Sequence, residues 1–195
     1  MYEVELKCRA EHGAVRERLD TAGATRRQAV TQRDVYYDAP HRDFAETDEA
    51  FRLRREEVVD GDTDSEPVSK LTYKGPLVEA ESKTRAEHET LVDDGTEARA
   101  IVEALGFEPA AVVEKERTFF ELDGYTVTLD SVSGLGEFVE IETTVETDGE
   151  IPAARNRARE LLETLGVDPD ENIRTSYLGL LFEAGAADGT LDAPE

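Results

Sequence analysis

Tryptophan is missing, cysteine and methionine occur once each, and no stretch of the 195 residues is apolar over the length needed to cross a bilayer. With Cys8 alone, no intrachain disulfide can form, and neither a cysteine-based zinc site nor a redox pair is available. Basic residues are scarce too: 22 Lys and Arg stand against 46 Asp and Glu, a net charge of −24. General attraction to nucleic acid or to an anionic membrane face is therefore not expected, and any anion that binds must enter a local basic pocket. The first residues, Met1 to Arg9, mix charge with apolar positions and lack the apolar centre of a signal peptide. These absences predict a reducing, cytoplasmic location. So acidic and lysine-poor a surface also suits a salt-loaded cytoplasm, where molar salt shortens the screening length to about 3 Å and self-repulsion is tolerated.

What the chain does have is patterning. Tyr2 to Lys7 alternates apolar and charged residues with the period of a strand, and a helix from about Glu11 to Ala22, carrying Val15 and Leu19, follows and stops at Gly23. Strands are predicted over Thr25–Asp38, Ala50–Arg55, Val68–Lys74, Lys83–Val92, Ala110–Glu121, Tyr125–Val132 and Phe138–Val145. The acidic run Val58–Glu66 reads as an exposed hairpin tip, Gly75-Pro76 as the end of a strand, and Asp123-Gly124 as a tight hairpin turn. Helices are predicted over Thr96–Leu105, Ile151–Leu165 and Ser176–Phe182. Residues 1–182 are expected to form one domain, and the acidic stretch 183–195 a disordered tail.

Strand after strand places charged residues on one face and apolar residues on the other. Glu3, Glu5 and Lys7 oppose Tyr2, Val4 and Leu6; Arg52 and Arg54 alternate with Phe51 and Leu53; Lys70 and Lys74 flank Leu71 and Tyr73; Glu140 and Glu142 enclose Ile141. Lys115 with Arg117, Arg85 with Glu87 and Glu89, and Asp130 after Leu129 continue the series. One such strand is ordinarily a solvated face. These positions, however, take eight of only 22 basic residues in a strongly acidic chain. Helices with apolar stripes would cover the apolar outside of the sheet, leaving the charged face to line the interior of a closed barrel. Buried charge is costly unless paired, hydrated or neutralised by a ligand. Clustered cations and carboxylates suit a polyphosphate with Mg²⁺ or Mn²⁺, since Lys and Arg donate to phosphate oxygens and the metal bridges those oxygens to carboxylates.

The motifs that carry this pattern resemble those of the CYTH, or triphosphate tunnel metalloenzyme, superfamily. Its E-x-E-x-K signature stands as Glu3-Val4-Glu5-Leu6-Lys7. It is followed in order by Phe51-Arg52-Leu53-Arg54, Leu71-Thr72-Tyr73-Lys74-Gly75-Pro76, Thr84-Arg85-Ala86-Glu87-His88-Glu89 and Glu114-Lys115-Glu116-Arg117. Leu129-Asp130-Ser131-Val132, the run from Gly134 to Glu142, and Ser176-Tyr177 complete it, and the L-T-Y-K-G-P and G-L-G-x-F-x-E-I-E stretches look most like the class IV adenylate cyclase branch. The resemblance implies an α+β fold, an eight-stranded antiparallel tunnel with helices outside. It implies that Lys7, Arg52, Arg54, Lys74, Arg85, Lys115 and Arg117 contact phosphate. It puts Glu140 and Glu142, then Glu3, Glu5 and Asp130, on Mg²⁺ or Mn²⁺, with Glu87 and Glu89 in support; Lys70 is given no family role, and no side chain is assigned as general base. The activity implied is conversion of ATP to cyclic AMP and pyrophosphate. Hydrolysis of inorganic, thiamine or nucleoside triphosphate is the alternative, and noncatalytic nucleotide or polyphosphate binding the third. A homodimer is compatible with the resemblance.

Overall fold

Eight strands realise that alternation in the computed structural model, which describes residues 2–60, 66–77 and 85–185. The order along the chain is β1 (Tyr2–Arg9), α1 (His12–Thr21), β2 (Thr25–Asp38), α2 (Phe44–Thr47), β3 (Ala50–Val58), β4 (Val68–Leu77), β5 (Arg85–Val92), α3 (Gly95–Ala104), β6 (Glu108–Leu122), β7 (Tyr125–Val132), β8 (Gly136–Val145), α4 (Ile151–Thr164) and α5 (Tyr177–Glu183). The strands close into an antiparallel barrel in the order β1-β5-β4-β3-β2-β6-β7-β8. Its two seams at β1 differ. β1 pairs with β8 over eight residues, from Tyr2 opposite Val145 to Arg9 opposite Phe138, but with β5 only at Tyr2–Ala86 and Glu3–Arg85 among the described residues.

Much of the strands' apolar surface faces outward and is covered by helices, while Tyr36, Val113, Val132 and Phe138 form a further cluster with Tyr177. Val15 and Leu19 of α1, with Ala158, Leu161 and Leu162 of α4, pack on Leu6, Cys8, Leu129, Val139 and Ile141. On the opposite side Ala98 and Val102 of α3 lie on Val35, Tyr37, Leu53 and Val112. Burying each of Leu161 and Leu162 stabilises by about 1.5–3 kcal/mol, which is why the greasy cores lie between barrel and helices. Local chemistry sets the helix ends: the Asp94 carboxylate accepts from the N–H groups of Thr96 and Glu97 at the start of α3, and the Ser176 hydroxyl accepts from Gly179 N–H at the start of α5. Gly106, at φ 89°, supplies the left-handed turn after α3 that a side chain would strain.

The structure differs from the sequence reading at several element ends, among them β3, which runs to Val58 rather than stopping at Arg55. β4 does not end at Gly75-Pro76 but runs on to Leu77, and the register with β5 shifts between Lys74 and Leu77, which tolerates a proline that cannot donate to the ladder. The connection before β3 contains the single turn α2, anchored by Arg42 and Phe44 against Tyr73. β6 begins at Glu108 and β8 at Gly136, each two residues earlier than predicted. Of the predicted hairpin tip, residues 61–65 lie outside the described ones, as do Lys83 and Thr84 of the predicted fifth strand and the tail from residue 186. No described helix is long and apolar enough to cross a membrane.

Candidate active site

The inward faces of the eight strands enclose a cavity of about 290 Å³. Lys7, Arg52, Arg54, Lys74, Arg85, Lys115 and Arg117 all line it, together with Glu3, Glu5, Glu87, Glu89, Glu140 and Glu142, and Lys70 joins them. Four of the chain's five lysines, Lys7, Lys70, Lys74 and Lys115, are thus found on this wall; the fifth, Lys83, lies outside the described residues. Asp130 is fully buried behind the lining.

Cationic side chains gather around a carboxylate that the sequence reading did not single out. The β2–β3 register sets Asp34 opposite Arg54. Arg54 donates from Nε and Nη2 to the two Asp34 oxygens at 2.6 and 2.7 Å, Arg52 reaches the same carboxylate at 3.4 Å, and the Lys115 ammonium lies 3.8 Å away. Burial alone would raise the Asp34 pKa, but Arg54, Arg52 and Lys115 outweigh it and hold the carboxyl far below the usual range. Lys115 is pulled down to about 7 by burial and by the neighbouring Arg117 and Arg54, against Asp34 and Asp130. Among the described residues Arg52 leaves its buried Nε without a partner, a donor that an anion in the cavity could use.

Arg117 forms a second ion cluster. Its Nε donates to Asp130 at 2.6 Å, while Nη2 contacts both Asp130 and Glu140. Tyr177 Oη donates to Asp130 at 2.9 Å. Asp130 and Glu140, anticipated as metal ligands, are therefore placed on a guanidinium here.

Acidic groups meet on the β1–β8 seam. Glu5 stands directly opposite Glu142, and Glu3, Glu5 and Glu142 each present one oxygen within 4.8 Å of the others. Burial, then the charges of Glu3, Glu140 and Glu5, push the Glu142 pKa up to about 8 despite Arg117. Three clustered carboxylate oxygens fit a hard divalent cation such as Mg²⁺ or Mn²⁺. Lys74 binds the edge of this group, 3.0 Å from Glu3 and 2.6 Å from Glu87. Burial opposes ionisation of Glu87, yet a hydrogen bond from Glu3 and the Lys74 charge bring it down to about 2.

Both ends of the tunnel carry groups that were not anticipated. At one, Gln32 donates to Glu56 at 2.6 Å and Lys70 lies 3.3 Å from Glu56; Glu89 accepts from the Thr72 hydroxyl at 2.9 Å. At the other, Arg85 donates to the carbonyl and carboxylate of Asp48 at 2.7 and 3.0 Å. That end opens into a cleft of about 970 Å³ bordered by Tyr36, Arg42, Phe44, Phe51, Arg174, Leu178 and Phe182. Tyr36, Asp48, Glu49, Ala50, Ser176 and Leu178 border cleft and tunnel alike.

The comparisons agree with this geometry. A family model described as the CYTH domain matches residues 1–177. The chain is similar to a protein of Methanocaldococcus jannaschii named "Putative adenylate cyclase", 35% identical over 181 residues, which are 92% of this chain and 98% of that one. Among solved structures it is similar to a protein of Pyrococcus horikoshii OT3, with TM-score 0.85 and 38% identity over 93% of this chain and 98% of the other. A Hippeastrum protein shares the fold at TM-score 0.61 and 17% identity, over 94% of this chain and 95% of that one; its adenylyl cyclase designation is accompanied by the statement that it has a dominant triphosphatase activity.

Proposed function

The chain belongs to the CYTH family, and from that premise we propose that residues 1–182 form a divalent-metal-dependent enzyme acting on a triphosphate, ATP by preference, to give cyclic AMP and pyrophosphate. The observation that carries this reading is the pairing, inside one tunnel, of a cationic wall with the Glu3–Glu5–Glu142 group. A tetra-anionic chain of phosphates needs both: guanidinium forks and ammonium groups on its oxygens, and a cation between those oxygens and the carboxylates. Mg²⁺ or Mn²⁺ held by Glu3, Glu5 and Glu142 would supply charge neutralisation and polarisation of phosphate oxygens. Lys7, Arg52, Arg54, Lys74, Lys115 and Arg117 hold and align the triphosphate, and Arg85 does so at the cleft end. Their preorganisation by Asp34, Asp130 and Glu87 limits the reorganisation needed as charge shifts towards the leaving pyrophosphate. The adjoining cleft, with Phe44, Tyr36 and Phe182 on its border, has room for the nucleoside and favours an organic triphosphate over the inorganic one.

A second reading, hydrolysis of the terminal phosphate, draws on the triphosphatase activity stated for the Hippeastrum protein, since the same wall would serve either reaction. Incubating the protein with ATP, tripolyphosphate and thiamine triphosphate, each with Mg²⁺ or Mn²⁺ at low and high salt, separates the two. Cyclic AMP with pyrophosphate is the expected outcome. Orthophosphate without cyclic nucleotide selects hydrolysis, and tight binding without any product leaves a noncatalytic binding module.

A further inference from the structure

The segment that follows α4 returns to the tunnel and closes over its cationic floor. Asn172 Oδ1 accepts from the backbone N–H of Lys7, and Ile173 N–H donates to the Lys7 carbonyl at 2.6 Å, so the returning chain lies against β1 at that residue. The Lys7 ammonium donates to the Thr175 carbonyl, also at 2.6 Å. Ser176 then caps α5 and makes Tyr177 its first residue, buried among the tunnel residues rather than on the surface.

Tyr177 touches two of the cations placed on the triphosphate and reaches a third through Asp130. Its ring centroid is 4.2 Å from Lys7 Nζ and 5.2 Å from Lys115 Nζ. Its hydroxyl donates to Asp130, whose two oxygens hold Arg117. Phe138 packs edge-on against the ring at 5.0 Å and fixes its plane. Burial and the charges of Glu140 and Asp130 keep the phenol protonated, so it serves as a donor and an aromatic face, not as a nucleophile or base.

We infer that Tyr177 is a positioning residue of the tunnel: its ring face holds the ammonium groups of Lys7 and Lys115, and its hydroxyl, through Asp130, sets the guanidinium of Arg117. This rests on the reading of the tunnel as a triphosphate site. The aromatic face stabilises charged ammonium in a place where burial disfavours it, so two of the phosphate-binding cations depend on a residue delivered by the last helix. The barrel strands alone do not complete the site.

The test is calorimetric titration with tripolyphosphate and Mg²⁺ between pH 6 and 9. Binding to the unaltered protein is expected; if there is none, the triphosphate reading itself falls, and this inference with it. Tyr177→Leu removes ring and hydroxyl and is expected to weaken binding about tenfold. Tyr177→Phe keeps the ring and is expected to stay within about threefold. The alkaline loss of binding should also move to lower pH in the Leu variant and not in the Phe variant. Arg54, Asp34, Arg117 and Asp130, the charged groups acting on Lys115, are the same in all three proteins. A residue that only supported the fold would lower the melting temperature without shifting that limb. If the Leu protein does not fold, Tyr177→Met, which retains bulk without an aromatic face, takes its place with the same expectation. Unchanged affinity and an unshifted limb in the folded Leu or Met protein, or a Phe variant as weak as Leu, would overturn the assignment.

Discussion

Asp34 is buried and Glu142 half-buried in the wall of one tunnel, and their surroundings are opposite. Asp34 stands among Arg52, Arg54 and Lys115 and is held ionised far below the usual range. Glu142 stands among Glu3, Glu5 and Glu140, and its pKa rises to about 8. Burial acts on both in the same direction, so what separates them is the sign of their neighbours. The first carboxylate completes an ion cluster with the surrounding cations; the second belongs to a cluster of carboxylates that could hold a cation. On the proposed function, one region receives the anionic substrate and the other the metal that accompanies it.

The comparison is most severely tried by Asp34→Asn. Removing that charge leaves Arg54, Arg52 and Lys115 buried together, and a stability loss of about 3–5 kcal/mol is expected from urea unfolding. Tripolyphosphate should recover much of it by placing oxygens among the same cations. A loss below about 1 kcal/mol would show that Asp34 does not organise this wall. In the unaltered protein the Asp34 contribution holds above the ordinary value of 3.8 and is lost only as pH falls through the still lower folded value.

Glu142→Gln should act with the opposite sign. Because the folded pKa lies above the ordinary 4.5, the metal-free protein has this stability in full below 4.5 and loses it as pH climbs through about 8. The variant should therefore be more stable than the parent at pH 8 without metal, by about 2 kcal/mol, or roughly 5 °C in melting temperature. The gain should vanish near pH 4.5. Mg²⁺ or Mn²⁺ should stabilise the parent and leave the variant unmoved, and activity of the variant should be lost. Equal melting temperatures of parent and variant at pH 8 would break the contrast. A smaller effect in the same direction is expected for Glu5→Gln, which removes one of the repelling neighbours.

How much of this was legible in the sequence depended on what covered each strand. Where α1, α3 and α4 press on the barrel, outward positions are apolar and the inward parity of Glu3, Glu5, Lys7, Glu140 and Glu142 stands out. In the middle of β2 the outward residues Thr31 and Arg33 are polar as well, with Arg33 3.4 Å from Glu114 on the outside. Gln32 and Asp34 were consequently lost in a strand polar on both faces. Asp48 was illegible for another reason: its link to Arg85 joins residues 37 positions apart through a connection with no periodicity. Ser176-Tyr177 was visible as a motif, but the return of that segment onto Lys7 and Asp130 is a tertiary contact that no local pattern encodes.

The long β1–β8 seam also bears on synthesis. Glu3 and Glu5 leave the ribosome well before Glu142, which faces them only after the long intervening chain has been made. Closing so distant a pair carries a large loop-entropy cost and brings like charges together at its final step. On the proposed function, a divalent ion taken up by the three glutamates would therefore respond to synthesis past residue 142 and to closure: a truncated product ending before residue 142 lacks the third carboxylate altogether.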